Sequence, residues 1–131
     1  WSDNRGKVYL PARGTVRSDD IDVSDEHTIL EGEQVFVNTQ VDFDLGSGVE
    51  ICFDHLALRK SIKNEVDECG SVTYEAGTHI GYLYYPDGNH TLDFEVLDES
   101  FNAGVTPDPH DRNNWSANPL NYFTPEYRIR I

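Results

Sequence analysis

The chain has 131 residues, 37% of them hydrophobic and 11% aromatic, a size and composition that suit one domain around one core. Its formal charge of -14 argues against nucleic acid as a partner, because affinity for a phosphate backbone rests on cationic contacts that release counterions, and against anionic lipid; cations, basic peptides and neutral glycans remain open. No apolar run approaches the roughly 20 residues that cross a bilayer as a helix, so no membrane span is expected.

In chain order, period-2 patterning dominates. Strands are expected at Lys7–Leu10 and Gly14–Arg17. From Glu33 to Phe43, Val35, Val37, Thr39, Val41 and Phe43 share one face and Phe36, Asn38, Gln40 and Asp42 the other. A turn over Asp44–Gly48 leads to a returning strand, Val49–His55, and so to a long hairpin. One short helix is expected over Leu56–Val66, where Leu58, Ile62 and Val66 form a single stripe. Strands follow at Ser71–Tyr74, His79–Tyr85 and Thr91–Leu97. The stretch 101–131 holds four of the six prolines and reads as a surface-wrapping tail. The expectation is one all-β domain over residues 1–131: a β-sandwich or barrel-sandwich hybrid of antiparallel strands. The chain opens at Trp1 and contains no methionine, as expected of a processed chain or an excised piece.

Several side chains stand out chemically. Cys52 and Cys69 could form a disulfide closing the segment between them, worth about 3 kcal/mol if unstrained; the alternative is two buried free thiols. Asp19, Asp20 and Asp22, with Asp25 and Glu26 close behind, offer the oxygen ligands calcium prefers, but the run lacks the glycine and terminal glutamate of a twelve-residue calcium loop; a solvated acidic loop is the plainer reading. Tyr82, Tyr84, Tyr85, Trp115, Tyr122 and Phe123 could line a sugar-binding groove, or simply pack. On the returning strand, alternation groups His55 with Val49, Ile51 and Phe53 on the core side, and Cys52 and Asp54 on the other. On the last strand, Thr91, Asp93 and Glu95 form a polar face opposite Leu92, Phe94 and Val96.

Three passages then fall into a known order. Phe53-Asp54-His55-Leu56, Ala76-Gly77-Thr78-His79-Ile80-Gly81 and Thr91-Leu92-Asp93-Phe94-Glu95-Val96 resemble the Tyr-x-His-Leu, Ala-Gly-x-x-Ile-Gly and His-x-His-Phe-Glu-Val passages of lysostaphin-type zinc endopeptidases, the duplicated hybrid motif domains. Val8 to Val16 is similar to that family's Val-x-Ala-Pro-x-x-Gly-x-Val opening, and Asn118-Pro119-Leu120-Asn121-Tyr122 to its Asn-Pro-x-x-Tyr close. The resemblance implies a zinc cleft in which His55 is retained in register. It also marks what has gone: Thr91 and Asp93 stand where the family carries two histidines, and the remaining His-x-x-x-Asp ligand pair would fall at or before Trp1.

Catalytic zinc needs three firm protein ligands and an open position for water, and without it there is no Lewis acid and no hydroxide near neutral pH. Zinc is therefore not expected, calcium being the one cation considered. His55 reads as a catalytic relic, and a hydrogen-bonded Asp93–His55 pair is expected in the metal's place. His90 points the other way by alternation unless a bulge re-aims it. The reading implied is a non-catalytic, extracytoplasmic (periplasmic, secreted or cell-surface) binding or regulatory domain, with peptidoglycan, a glycan or another protein as partner. The alternatives are a zinc metalloendopeptidase with non-standard or upstream ligands, and a glycan-binding module.

Overall fold

The computed structural model describes residues 6–84 and 92–98. Within them the chain forms one curled antiparallel sheet and a single α-helix, as the all-β pattern requires. The strands are β1 (Lys7–Tyr9), β2 (Gly14–Arg17), β3 (Ile21–Asp22), β4 (His27–Leu30), β5 (Glu33–Gly46), β6 (Val49–Arg59), β7 (Ser71–Tyr74), β8 (His79–Leu83) and β9 (Asp93–Asp98); helix α1 spans Lys60–Cys69. Residues 1–5, 85–91 and 99–131, including Thr91, Tyr85 and the tail expected over 101–131, lie outside the described residues.

The β5–β6 hairpin is the spine of the sheet. Its two-residue turn, Ser47-Gly48, has positive φ at both positions, 56° and 78°, the backbone that matches strand twist in tight hairpins. Asp44 Oδ1 accepts the Gly46 N–H at 2.7 Å and steadies the approach to it. Along one edge of the hairpin, β5 pairs with β4, β3 and β2; along the other, β6 pairs with β9 over Val49–Asp54 and with β8 over Leu56–Leu58. The core lies on one face and is centred on Phe43, Ile51, Phe53, Leu56, Leu58 and Ile80. Helix α1 closes it with Ile62 and Val66, one turn apart, and ends at Gly70, whose φ of 77° suits a left-handed C-terminal residue.

Two expectations change. Leu56–Arg59 is strand, not helix: pairing to β5 and β8 holds it extended, so the helix starts at Lys60 and keeps only Ile62 and Val66 of the expected stripe. The disulfide is not formed. Cys69 is exposed and Cys52 half-buried, and the two are not bonded to each other; Cys52 sits between Ile51 and Phe53, which face the core, so it points away from the face that α1 covers.

Candidate functional site

The site arises from a double irregularity in the central hairpin. Between the pairs Val41↔Phe53 and Thr39↔Leu56, β6 carries two residues, Asp54 and His55, against the single Gln40. Two positions further on the surplus reverses: Val37 and Asn38 on β5 oppose Ala57 alone. Each bulge holds a non-glycine residue in the left-handed region, His55 at φ 61° and Asn38 at φ 58°. Asparagine tolerates that conformation and histidine does so less often, so the strain falls where two strands must agree.

The bulge corrects the alternation reading of His55. It shifts the phase of β6, so the core side passes from Ile51 and Phe53 to Leu56 and Leu58, and His55 joins Asp54 on the outer face. There its Nδ1 lies 2.6 Å from Asn38 Oδ1, its backbone N–H donates to Asp54 Oδ1 at 2.8 Å, and its Nε2 stands 3.5 Å from Asp93 Oδ2 and 3.9 Å from Asp54 Oδ2. The Asn38 amide anchors the ring at Nδ1, and Nε2 is the atom turned toward the carboxylates. The expected Asp93–His55 pair is thus brought together, but on the outer face of the sheet and partly in solvent: the Asp93 side chain is 75% exposed and that of His55 37%.

Strand register extends the pair into a row. Asp22 of β3 stands opposite Gln40 of β5, Gln40 opposite the Asp54–His55 bulge of β6, and Asp54 opposite Asp93 of β9. Glu95, opposite Cys52, lies one step along. Two adjoining cavities of about 410 and 360 Å³ share Gln40 and Asp54 and make one groove across these strands. Phe94, with the buried Phe53 behind it, borders one end and Val23 and Ser24 the other; among the described residues no lysine or arginine lines it.

The remaining candidates fall elsewhere. Asp19 and Asp20 lie in a short 3-10 turn with Ser18, where Asp20 Oδ2 accepts the Arg17 backbone N–H at 3.0 Å, while Asp22 faces the groove. These three do not converge: among the described residues, the donor groups that do are Asp42, Glu50 and Cys52, and Asp54, His55 and Asp93. Tyr82 is 4% exposed and its hydroxyl donates to Glu33 at 2.7 Å, so it offers no ring face to a sugar. Tyr84 packs half-buried beside it, in a second cluster with Val35 and Ala57.

That second cluster carries a paired polar network. Arg59 Nε donates to Glu33 Oε1 at 2.7 Å, and its guanidinium also donates to the His79 carbonyl at 3.0 Å. His79 rests edge-on against Tyr82, its Nε2 2.9 Å from the Gly81 carbonyl. Burial, and then the nearby Arg59 charge, hold the His79 imidazole below its ordinary value. Burial pushes the Glu33 carboxyl upward, but hydrogen bonds from Arg59 and Tyr82 together outweigh it and leave the group below its usual range.

Asn38 and Gln40 were not singled out from the sequence, and Asp54 was read as facing away from His55. The available signal was Asn38 itself, a polar residue at home with positive φ in the middle of a β-branched run. Comparison with protein-family models, with curated proteins and with solved structures gave no match.

Proposed function

We propose that this is a non-catalytic, extracytoplasmic binding or regulatory domain of lysostaphin-like descent, with the groove across β3, β5, β6 and β9 as its ligand surface. The observation that carries the reading is the His55 environment. The imidazole is anchored to Asn38 through Nδ1 and turns Nε2 to Asp93 at 3.5 Å, a hydrogen-bonding constellation at the position where the resemblance would put metal chemistry. A single imidazole with one half-buried and one largely exposed carboxylate makes a weak hold on zinc, which favours several nitrogen or sulfur donors in a fixed geometry. Cell-wall material or a wall-associated protein is the partner class that the resemblance supplies.

A second reading has its own observation. Donor atoms of Asp54, His55 and Asp93 lie within 4.8 Å of one another, close enough to converge on a cation, and a metalloendopeptidase with these non-standard ligands would follow. One experiment separates the two. Protein dialysed against zinc-containing buffer and then desalted is assayed for metal content and for cleavage of peptidoglycan, with and without chelator. Well under one zinc per chain and no chelator-sensitive cleavage is the expected result. Stoichiometric zinc that disappears in His55→Ala and Asp93→Ala, accompanied by cleavage, would reinstate the enzyme.

A further inference from the structure

Deepening that binding reading and resting on it, we infer that the groove takes a basic peptide segment, seating lysine or arginine side chains against Asp22, Asp54, Asp93 and Glu95. Three features converge on this occupant. First, register places like charges side by side: Asp54 and Asp93 are direct cross-strand partners, an arrangement that costs a sheet stability unless something cationic lies over it. Both are on the outer face, where Asp93 is 75% exposed and Asp54 engages one oxygen with the His55 backbone N–H, leaving the other to face the groove.

Second, the row has the dimensions of a peptide. Asp22 and Asp93 are separated by three inter-strand steps, or about 14 Å at roughly 4.8 Å per step. A metal ion gathers its ligands within about 2 to 2.5 Å and would engage only the Asp54–His55–Asp93 end. An extended peptide of about four residues covers the whole row at roughly 3.3 Å per residue. Third, the lining mixes chemistry in the proportions a lysine or arginine requires. Carboxylates receive the charged head, the half-buried Phe94 and Val23 border the groove where a methylene stem would lie, and Asn38 and Gln40 supply amides suited to a peptide backbone. The overall charge of -14 adds long-range steering toward such a partner.

The test uses the blocked peptide Ac-Ala-Lys-Ala-Lys-Ala-NH2 and its norleucine counterpart, titrated at low ionic strength into the full chain and followed by amide chemical shifts. The lysine peptide is expected to move resonances at residues 38–40, 54–55 and 93–95, and the norleucine peptide not to. Asp54→Asn with Asp93→Asn should weaken binding at least tenfold. The control Asp19→Asn with Glu68→Gln changes the net charge by the same two units on side chains that do not line the groove, and should stay within twofold. Both substitutions keep the side-chain shape, and the asparagine oxygen at position 54 can still accept the His55 backbone N–H, so the variants remain interpretable. Equal binding of the norleucine peptide, or equal loss in the control, would overturn the inference; so would zinc chloride occupying these residues at sub-micromolar concentration and displacing the peptide. The last result would also sink the non-catalytic reading, whereas the first two leave it standing.

Discussion

The outer face of the sheet is divided in two by the paired bulges at Asn38 and His55, and its halves treat charge in opposite ways. On the β8 side, Glu33, Arg59, His79 and Tyr82 form a closed network over Val35 and Ala57, each charge answered by a partner within 3.0 Å. On the β9 side, Asp22, Asp54, Asp93 and Glu95 line an open groove, with one imidazole among them and, among the described residues, no lysine or arginine in the lining. The first half is what a fold builds for itself, since partly buried charge is stable only when paired and hydrogen-bonded. The second sets like charges side by side across β6 and β9, which costs a sheet stability, and that asymmetry is what the proposed partner would account for.

The closed half is the easier to break. Gly81 lies under it, in β8 opposite Leu58, where a side chain would run into the carbonyl oxygen of Ala57. Backbone cannot yield there without parting β6 from β8, so Gly81→Ala should cost about 3 kcal/mol or more, read from the urea midpoint. A cost below about 1 kcal/mol would mean that the two strands are not held as closely as described.

Next in size is the ion pair. Removing the guanidinium in Arg59→Met leaves Glu33 partly desolvated with Tyr82 as its remaining donor among the described residues, and should cost about 2 kcal/mol. Adding Glu33→Gln should recover roughly half of that, because no orphaned charge remains. A double-mutant cycle gives the coupling directly; strict additivity would dissolve the network into independent contacts.

Acid should loosen the same half. His79 is held below its ordinary value of 6.5, so the unfolded chain binds its proton more readily than the folded one. The stability it provides is present in full above pH 6.5 and declines as pH falls through that range toward the folded value. Glu33, held below 4.5, behaves likewise one step lower: its contribution is present above pH 4.5 and fades as the pH drops further. Thermal melts of the wild type and His79→Gln from pH 7.5 to 5.0 should therefore converge as pH falls, the wild type losing more. Parallel curves would remove His79 from the network.

How far the sequence foretold all this depends on the same bulges. The strands β2 and β7 and the long hairpin were legible because alternation over Val35–Phe43 and Val49–Phe53 is a local signal. The short strands Ile21–Asp22 and His27–Leu30 were not, being stretches of two and four residues made strand only by pairing to β5. Helix α1 was placed four residues early because Leu58 mimics the Ile62–Val66 stripe while being held in strand by β5 and β8. Around the groove, the shared face of Asp93 and Glu95 and the nearness of Asp93 to His55 were legible in the sequence, but not that His55 lies on the outer face. One unpaired residue shifts the phase of a strand, and nothing local to Asp54-His55 announces it.

The smallest effect tests the open half most directly. Asp93→Asn removes a charge that faces both Asp54, its cross-strand partner, and His55 at 3.5 Å. The two influences oppose each other: losing the carboxylate relieves Asp54 of a like charge but removes the oxygen 3.5 Å from His55 Nε2, a contact that is an ion pair only when the imidazole is protonated. For side chains this exposed both terms are small, and the like-charge term is the one that survives the substitution. Stability should rise by about 0.3 to 0.5 kcal/mol in dilute buffer and the gain should vanish near 1 M salt, where the screening length falls to about 3 Å. Had the groove carboxylates been placed for the fold, the same change would lower stability, and salt would make little difference.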